Sequence, residues 1–485
     1  MNDIHPVPKI TGNQYNLPEK FPADEQKIIS GKIKHVLRNL LNAQQVLTSL
    51  ALICVLVLFS NLIESGFLAA LCLFVVIFLM PLFSLELRQN KSILLGYFFV
   101  ITLHETIAFA NAYLFVTFGA GFDAALFQKL GGEFAMHEEW GLAIGPQLYA
   151  QMLGLVYRWL GVSHLLGEQL SILAFSISCI IFLKIIRLCG IVKYKIYSLL
   201  AFGALPTMVF LGSITLRESY QVLSFLLVMY FGIKMHMKGG INSYIIAFIL
   251  SVLSMCVMHR GLIGYGMWVV PLFFIWSIRP VSRLGNVKIL RLVVFVIGPI
   301  SIAGLILLIN VVPSLGAYNM IFDRSWLEFI NTLRTGSINV SGRTTYGIPL
   351  DLSSNMMTIY SSLKLYVYYL FAPFPWQVSS VQDVYGGMES FFRIIRIYFS
   401  VKHWCIAEGS QRRLFALLLI MFFSITLLFS IGTSNYGTAM RHHMLSWWII
   451  VMVGTPLLMA KLSCIRFGAG NSGHRILLKP IENIS

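Results

Sequence analysis

The chain has 485 residues, of which 57% are hydrophobic and 12% charged, and it carries a formal net charge of +16. Soluble domains average about 45–50% apolar and about 25% charged residues, so this composition excludes an ordinary soluble domain. Repeated near-uncharged runs of about 20 residues, the length that crosses a bilayer core, define instead a polytopic helical membrane protein. The positive charge does not point to nucleic acid, because the cations lie in short clusters between apolar runs and no basic domain or aromatic-basic module accompanies them.

In chain order, residues 1–45 are polar, show no cleavable signal peptide and carry Lys32, Lys34 and Arg38 before the first apolar run. They read as a cytoplasmic segment. A single transmembrane bundle is expected over 46–460, with spans near 46–63, 66–86, 93–117, 165–186, 197–214, 219–234, 241–258, 261–278, 290–311, one crossing within 357–400, then 413–431 and 444–460. Starting inside, the clusters Arg88/Lys91, Lys184/Arg187/Lys193/Lys195, Lys234/Lys238, Arg279/Arg283/Lys288/Arg291 and Arg412/Arg413 all fall on the cytoplasmic face. So does the basic tail over 461–485. The fold class is therefore all-α, a bundle of about 12 spans (roughly 10–14) with both termini cytoplasmic.

This topology requires that "GPQLYAQMLGLVYRWLG" (145–161) does not cross but lies in the interface or re-enters; Tyr149, Tyr157 and Trp159 suit that position. Two outer loops result, near 118–164 and 312–385. The first holds Asp123, Lys129, Glu133, His137, Glu138 and Glu139, and the second Asp323, Arg324, Arg334, Arg343, Asp351 and the stretch "LFAPFPWQVSS". Pro373-Phe374-Pro375-Trp376 cannot be ordinary helix, because each proline removes a donor and restricts the residue before it. Neither a disulfide framework nor a zinc site is indicated by the seven cysteines, which have no paired spacing.

The remaining polar residues gather on the outer side. Arg217 and Glu218 begin one span, His259 and Arg260 occupy a very short turn, and Arg441, His442 and His443 occupy another, after Asn435 and Gly437. An arginine near a span end commonly snorkels to headgroups, Arg217–Glu218 has a reading as a structural ion pair, and His259 as a turn cap. Outward arginine runs against the positive-inside bias, however, and three separate placements at one depth favour a cationic pocket. A planar guanidinium grips phosphate or carboxylate through a fixed fork, which suits the diphosphate that joins a lipid to its cargo.

In this reading Arg217, Arg260 and Arg441, with Arg343 and Trp376 from the second loop, bind the substrate. Asp123, Glu218, His259, His442 or His443 takes the acceptor proton. "HEEW" (137–140) lacks the one-face spacing of a helical metal site, so no metal or cofactor is assigned. His104–Glu105, inside the third apolar run, is either a functional or a structural buried pair.

Two bacterial envelope families share features with these stretches. "GFDAALFQKLGGEF" followed by "GPQLYAQMLGLVYRWLGVSHLLGEQLSIL" resembles the first outer loop and following helices of GT-C-type polyprenyl-phosphate-sugar glycosyltransferases. In that family an acidic residue of this loop is the catalytic base, and Asp123 is the matching position. "SITLRESYQVLSFLLVMYFGIKM", "VMHRG", "SNYGTAMRHHM" and "YLFAPFPWQVSS" resemble membrane polymerases of O-antigen, capsule or exopolysaccharide. The match departs at His443, where that pattern has a second arginine, and in the first loop, where one aspartate replaces an acidic pair.

The resemblance implies an enzyme of the bacterial inner membrane acting in polysaccharide biosynthesis. It would polymerise or transfer glycan from an undecaprenyl-diphosphate carrier on the outer side. A GT-C transferase using a polyprenyl-monophosphate sugar is the near alternative, and a lipid-linked glycan transporter or flippase the alternative of another class. Expected partners are polyprenyl-linked glycans, the bilayer and other polysaccharide-assembly proteins. Neither a P-loop nor a Rossmann fingerprint is present, in keeping with a reaction that needs no nucleotide.

Overall fold

In the computed structural model the chain divides into two units, Met1–Ile63 and Glu64–Ser485. The structure describes residues 64–136, 141, 143–238, 243–259, 261–277, 331–332, 334–335 and 344–467, all in the second unit. The expected N-terminal segment, the expected spans at 46–63 and 290–311, the "HEEW" stretch, Arg260, Arg343 and the end of the basic tail lie outside the described residues.

The described chain is helical, with an isolated antiparallel bridge between Thr345 and Asn435. Helix α1 (Phe67–Leu79) runs into a 3-10 turn over Met80–Phe83. Helix α2 (Lys91–Tyr113) starts at Asn90, whose side chain accepts the Ile93 N–H at 3.1 Å, as an N-cap should. Helices α3 (Asp123–Met136) and α4 (Pro146–Leu160) pack together, and α5 (His164–Leu188) is capped by Ser163.

Next, α6 (Lys195–Gly203) and α7 (Pro206–Gly212) replace one expected span at 197–214 with a pair bent by 55°. Pro206 is the cause: it has no N–H to donate and holds Leu205 in an extended conformation. There follow α8 (Glu218–Lys238), α9 (Ser243–Met258), α10 (Gly261–Ser277), α11 (Asn355–Phe371), α12 (Val381–Ile406), α13 (Gly409–Gly432) and α14 (Tyr436–Phe467).

Four described helices are long and apolar enough to cross a membrane, namely α2, α5, α13 and α14, and a fifth span results if the bent α6–α7 pair counts as one. A helical protein with membrane-crossing helices is thus supported, while the expected total of about 12 spans is not reached among the described residues. Several of the apolar runs form helices of only 13 to 17 residues, shorter than a straight crossing needs.

Helices α5 and α14 are interior, each with 78% of its apolar window buried. Their neighbours make polar contacts in that interior. Tyr97 donates to the Ile77 carbonyl at 2.9 Å and bonds Ser176, Gln169 donates to Glu105 and Asn111 to Glu168, each at 2.5 Å. His104 does not pair with Glu105; its Nε2 meets the Gly203 carbonyl at 3.0 Å and its ring stacks on Phe175.

The α3–α4 pair is locked onto α5 at Gly167. Gln128 of α3 bonds Tyr157 of α4, Thr215 and the His164 carbonyl around this glycine. A Cβ on Gly167 would lie 2.6–2.7 Å from Tyr157 Oη, Gln128 Nε2 and Thr215 Oγ1. Gly167→Ala is therefore expected to lower stability by about 1–3 kcal/mol, the usual cost of overpacking, read as a lower thermal midpoint in detergent. An unchanged midpoint would show that α3 and α4 move freely against α5.

Candidate functional site

The centre of the site is Arg441, in the first turns of α14. Asn435 caps this helix, its Oδ1 accepting the Thr438 N–H at 2.7 Å. The helix therefore begins at Tyr436, and Arg441, His442 and His443 are helical rather than part of the expected turn before 444. The approach to the cap is pinned by the Thr344–Tyr346 segment, where Tyr346 N–H donates to Ser434 O at 2.9 Å and Tyr436 N–H to Thr344 O at 3.1 Å.

Two carboxylates from distant helices share the Arg441 guanidinium. Glu218, the first residue of α8, accepts from Nε at 3.0 Å and from Nη2 at 2.5 Å through one oxygen, Oε1. Asp123, the first residue of α3, accepts from Nη1. The two acids differ in accessibility: the Asp123 side chain is 48% exposed and that of Glu218 only 5%. The Gln128–Thr215 bond explains why they meet, since it ties α3 to the turn just before Arg217 and Glu218.

Arg217 sends Nη1 to the Met258 carbonyl at 3.3 Å, at the C-terminus of α9, where a cation complements the helix dipole. One residue on, His259 accepts the Gly261 N–H on Nδ1 at 3.1 Å and so caps α10. That bond requires Nδ1 to be unprotonated. The His259 pKa is pushed down to about 3, by burial first and then by the Arg217 and Arg441 guanidiniums. His259 is accordingly neutral at pH 7 and a weak base, since an efficient general base titrates near the operating pH.

The two adjacent histidines of α14 part company, as residues about 100° apart on a helix must. His442 stays with the site: its ring stacks on Phe429 at 4.3 Å and meets His259 edge-on at 5.6 Å, and Nδ1 bonds Thr433 Oγ1 at 3.1 Å. His443 turns the other way, its ring 4.4 Å from that of Tyr369 in α11.

Asp123, Arg217, Glu218, His259, Arg441 and His442 thus form one cluster. Trp376 stacks on Phe374 and is 76% exposed, with no contact to that cluster. Among the described residues no three His, Cys, Asp or Glu side chains are placed to hold a metal ion.

Three residues that the sequence reading did not assign to the site, Thr433, Phe429 and the loop residue Arg334, shape the surroundings. Thr433 and Phe429 orient His442, and neither carries a local signal beyond its place at the end of an apolar run. Arg334, 1% exposed, donates to the carbonyls of Ile348, Ile431 and Thr433 and so terminates α13 beside the site. An isolated arginine in a loop reads as solvated, and only the fold shows it to be a buried cap. Comparison with known proteins returned no matching family model, no matching characterised protein and no matching solved structure.

Removing one member of a buried ion pair strands its partner. Arg441→Ala should cost about 3 kcal/mol, the low end of the range for buried pairs because the Arg441 side chain is 24% exposed. Glu218→Gln should cost less, since no charge is then left unpaired. Urea unfolding in detergent compares the two, and an equal or reversed order would contradict a charge held by Arg441.

The pH dependence has a definite sign. A histidine whose folded pKa lies below its unfolded value, about 3 here, loses stability as pH falls from the ordinary value of 6.5 toward 3. His259→Asn, which keeps a capping acceptor, should flatten that limb of a stability–pH curve.

Proposed function

We propose that this protein is a bacterial inner-membrane enzyme that transfers glycan from an undecaprenyl-diphosphate carrier to the hydroxyl of a second lipid-linked glycan, on the outer face. The observation that carries the reading is the Asp123–Arg441–Glu218 cluster, in which a buried acid holds the guanidinium and a half-exposed acid occupies its remaining edge.

In this arrangement Arg441 is oriented by Glu218 and keeps one fork position that an incoming phosphate oxygen can take from Asp123. Displacement of Asp123 frees a carboxylate next to the bound diphosphate. The acceptor oxygen then bonds the anomeric carbon as the carbon–oxygen bond to diphosphate breaks. Its electron pair leaves on the diphosphate, whose charge Arg441 stabilises, and the acceptor proton passes to Asp123. Glu218 is less able to reach an acceptor hydroxyl, because its side chain is buried and one oxygen already accepts two bonds from Arg441. His259 is a weak base for the reason given above, and the part of Arg217 is to hold α9 and add positive potential.

The single-sugar reading, a transfer from a polyprenyl monophosphate, is favoured by one observation, the accessibility of Asp123 at the start of α3. The two reactions use the same residues and differ in product.

Asp123→Asn and Arg441→Lys should each reduce surface glycan by about 100-fold, the scale of losing one transition-state donor or base, with protein levels in the membrane unchanged. Lipid extracts of the same cells should accumulate single repeat units for a polymerase and a truncated unit for a single-sugar transferase. Normal surface glycan and normal lipid-linked intermediates in both variants would remove the proposal.

A further inference from the structure

Helix α12 (Val381–Ile406) contains Asp383, Glu389, Arg393, Arg396 and Lys402 within 26 residues, and by composition it is not among the membrane-crossing helices. Its burial pattern runs opposite to that of a water-soluble helix. Asp383, Glu389, Ser390, Arg393, Ser400 and His403 are buried, each 4% exposed or less. Val384, Met388, Phe391, Phe392, Ile394 and Tyr398 are exposed, each by 45% or more. Water would select the reverse arrangement, with the apolar stripe inward and the charges outward. A hydrocarbon solvent selects this one, because ionisable side chains within a membrane face the bundle interior.

The neighbours of α12 fix its depth. It runs alongside α14, itself apolar and long enough to cross. Asp383 accepts from Tyr436 at 2.7 Å, Ser400 donates to Ile450 O at 2.9 Å, and His403 Nδ1 meets Val453 O at 2.6 Å. Contacts in this order make the two helices parallel and level over some twenty residues. The C-terminus of α12 connects through residues 407–408 to α13, another membrane-crossing candidate.

At 1.5 Å per residue α12 is about 39 Å long, against about 30 Å of hydrocarbon. Interfacial side chains flank it: Trp376 precedes it, while at the other end Lys402 lies over Tyr398 at 5.4 Å and Arg412 over Trp404 at 5.7 Å. The exposed apolar surface continues onto Ile359 and Leu363 of α11 and Ile420 and Leu427 of α13.

We infer that α12 crosses the bilayer as an inverted amphipathic span, its apolar face against lipid acyl chains and its charged face turned into the bundle, where Glu389 accepts from Thr207 of α7, Arg393 donates to the Leu370 carbonyl of α11 and Asp383 accepts from Tyr436 of α14. The expected crossing within 357–400 is thereby assigned to a helix that hydropathy passes over, and α11 is not needed as a second one. The inference does not rest on the glycan reading and is tested without it.

The full chain is made with a diazirine-bearing phenylalanine analogue in place of Phe391, and separately of Ile394, in cell membranes supplied with alkyne-tagged phospholipid. Irradiation should attach phospholipid at both positions. In parallel, Phe391→Asp should lower the amount of membrane-integrated protein about tenfold or more relative to Phe391→Leu, given the cost of a carboxylate at mid-bilayer depth. Adducts formed with water alone would overturn the inference. So would cross-links mainly to a second copy or to another segment of this chain, or normal integration of Phe391→Asp.

Discussion

The site depends on one guanidinium held by two acids that are far apart in the chain. Arg441 reaches Glu218 and Asp123 across separations of 223 and 318 residues. Three helices, α3, α8 and α14, therefore have their N-terminal ends drawn to one point. Like-charged carboxylates would repel at that distance, and the shared cation converts the repulsion into a clamp. The two acids differ in what their release from Arg441 would cost: Asp123 would be left as a half-exposed, hydrated carboxylate, and Glu218 as an unpaired buried charge.

The surroundings of Arg441 repeat the same logic on a smaller scale. Helix ends that would leave backbone groups unsatisfied in a poorly hydrated bundle are closed by side chains from elsewhere. Arg217 closes α9, His259 opens α10, Arg334 closes α13 and Asn435 opens α14. Most of the polar residues near the site are thus partly structural, and Asp123 is set apart from them by its half-exposed side chain.

Legibility in the sequence varied with the range of the cause. Apolar runs and caps are local, so α2, α5, α8 and α13 lie close to their expected positions. The break at Pro206 is equally local but was masked by the hydrophobicity on both sides of it. Helix α14 starts at Tyr436 rather than at 444, because Arg-His-His reads as a polar turn whereas the Asn435 side chain caps a helix there by accepting the Thr438 N–H. His442 and His443 were indistinguishable by sequence, and only the azimuth of α14 separates the one facing His259 from the one facing Tyr369.

Composition and long apolar runs alone determined that this is a helical protein with helices long and apolar enough to cross a membrane, because the desolvation of backbone and charge acts on every residue whatever its neighbours. The residue types at the site, arginine with carboxylates and histidines, were also visible in the sequence. Which of them meet was decided by tertiary structure, since an ion pair over hundreds of residues leaves no periodic trace. The direction in which α12 turns its charges was decided there too. A helix moment gives the relative placement of polar and apolar faces, and only packing against α14 says which of them is inside.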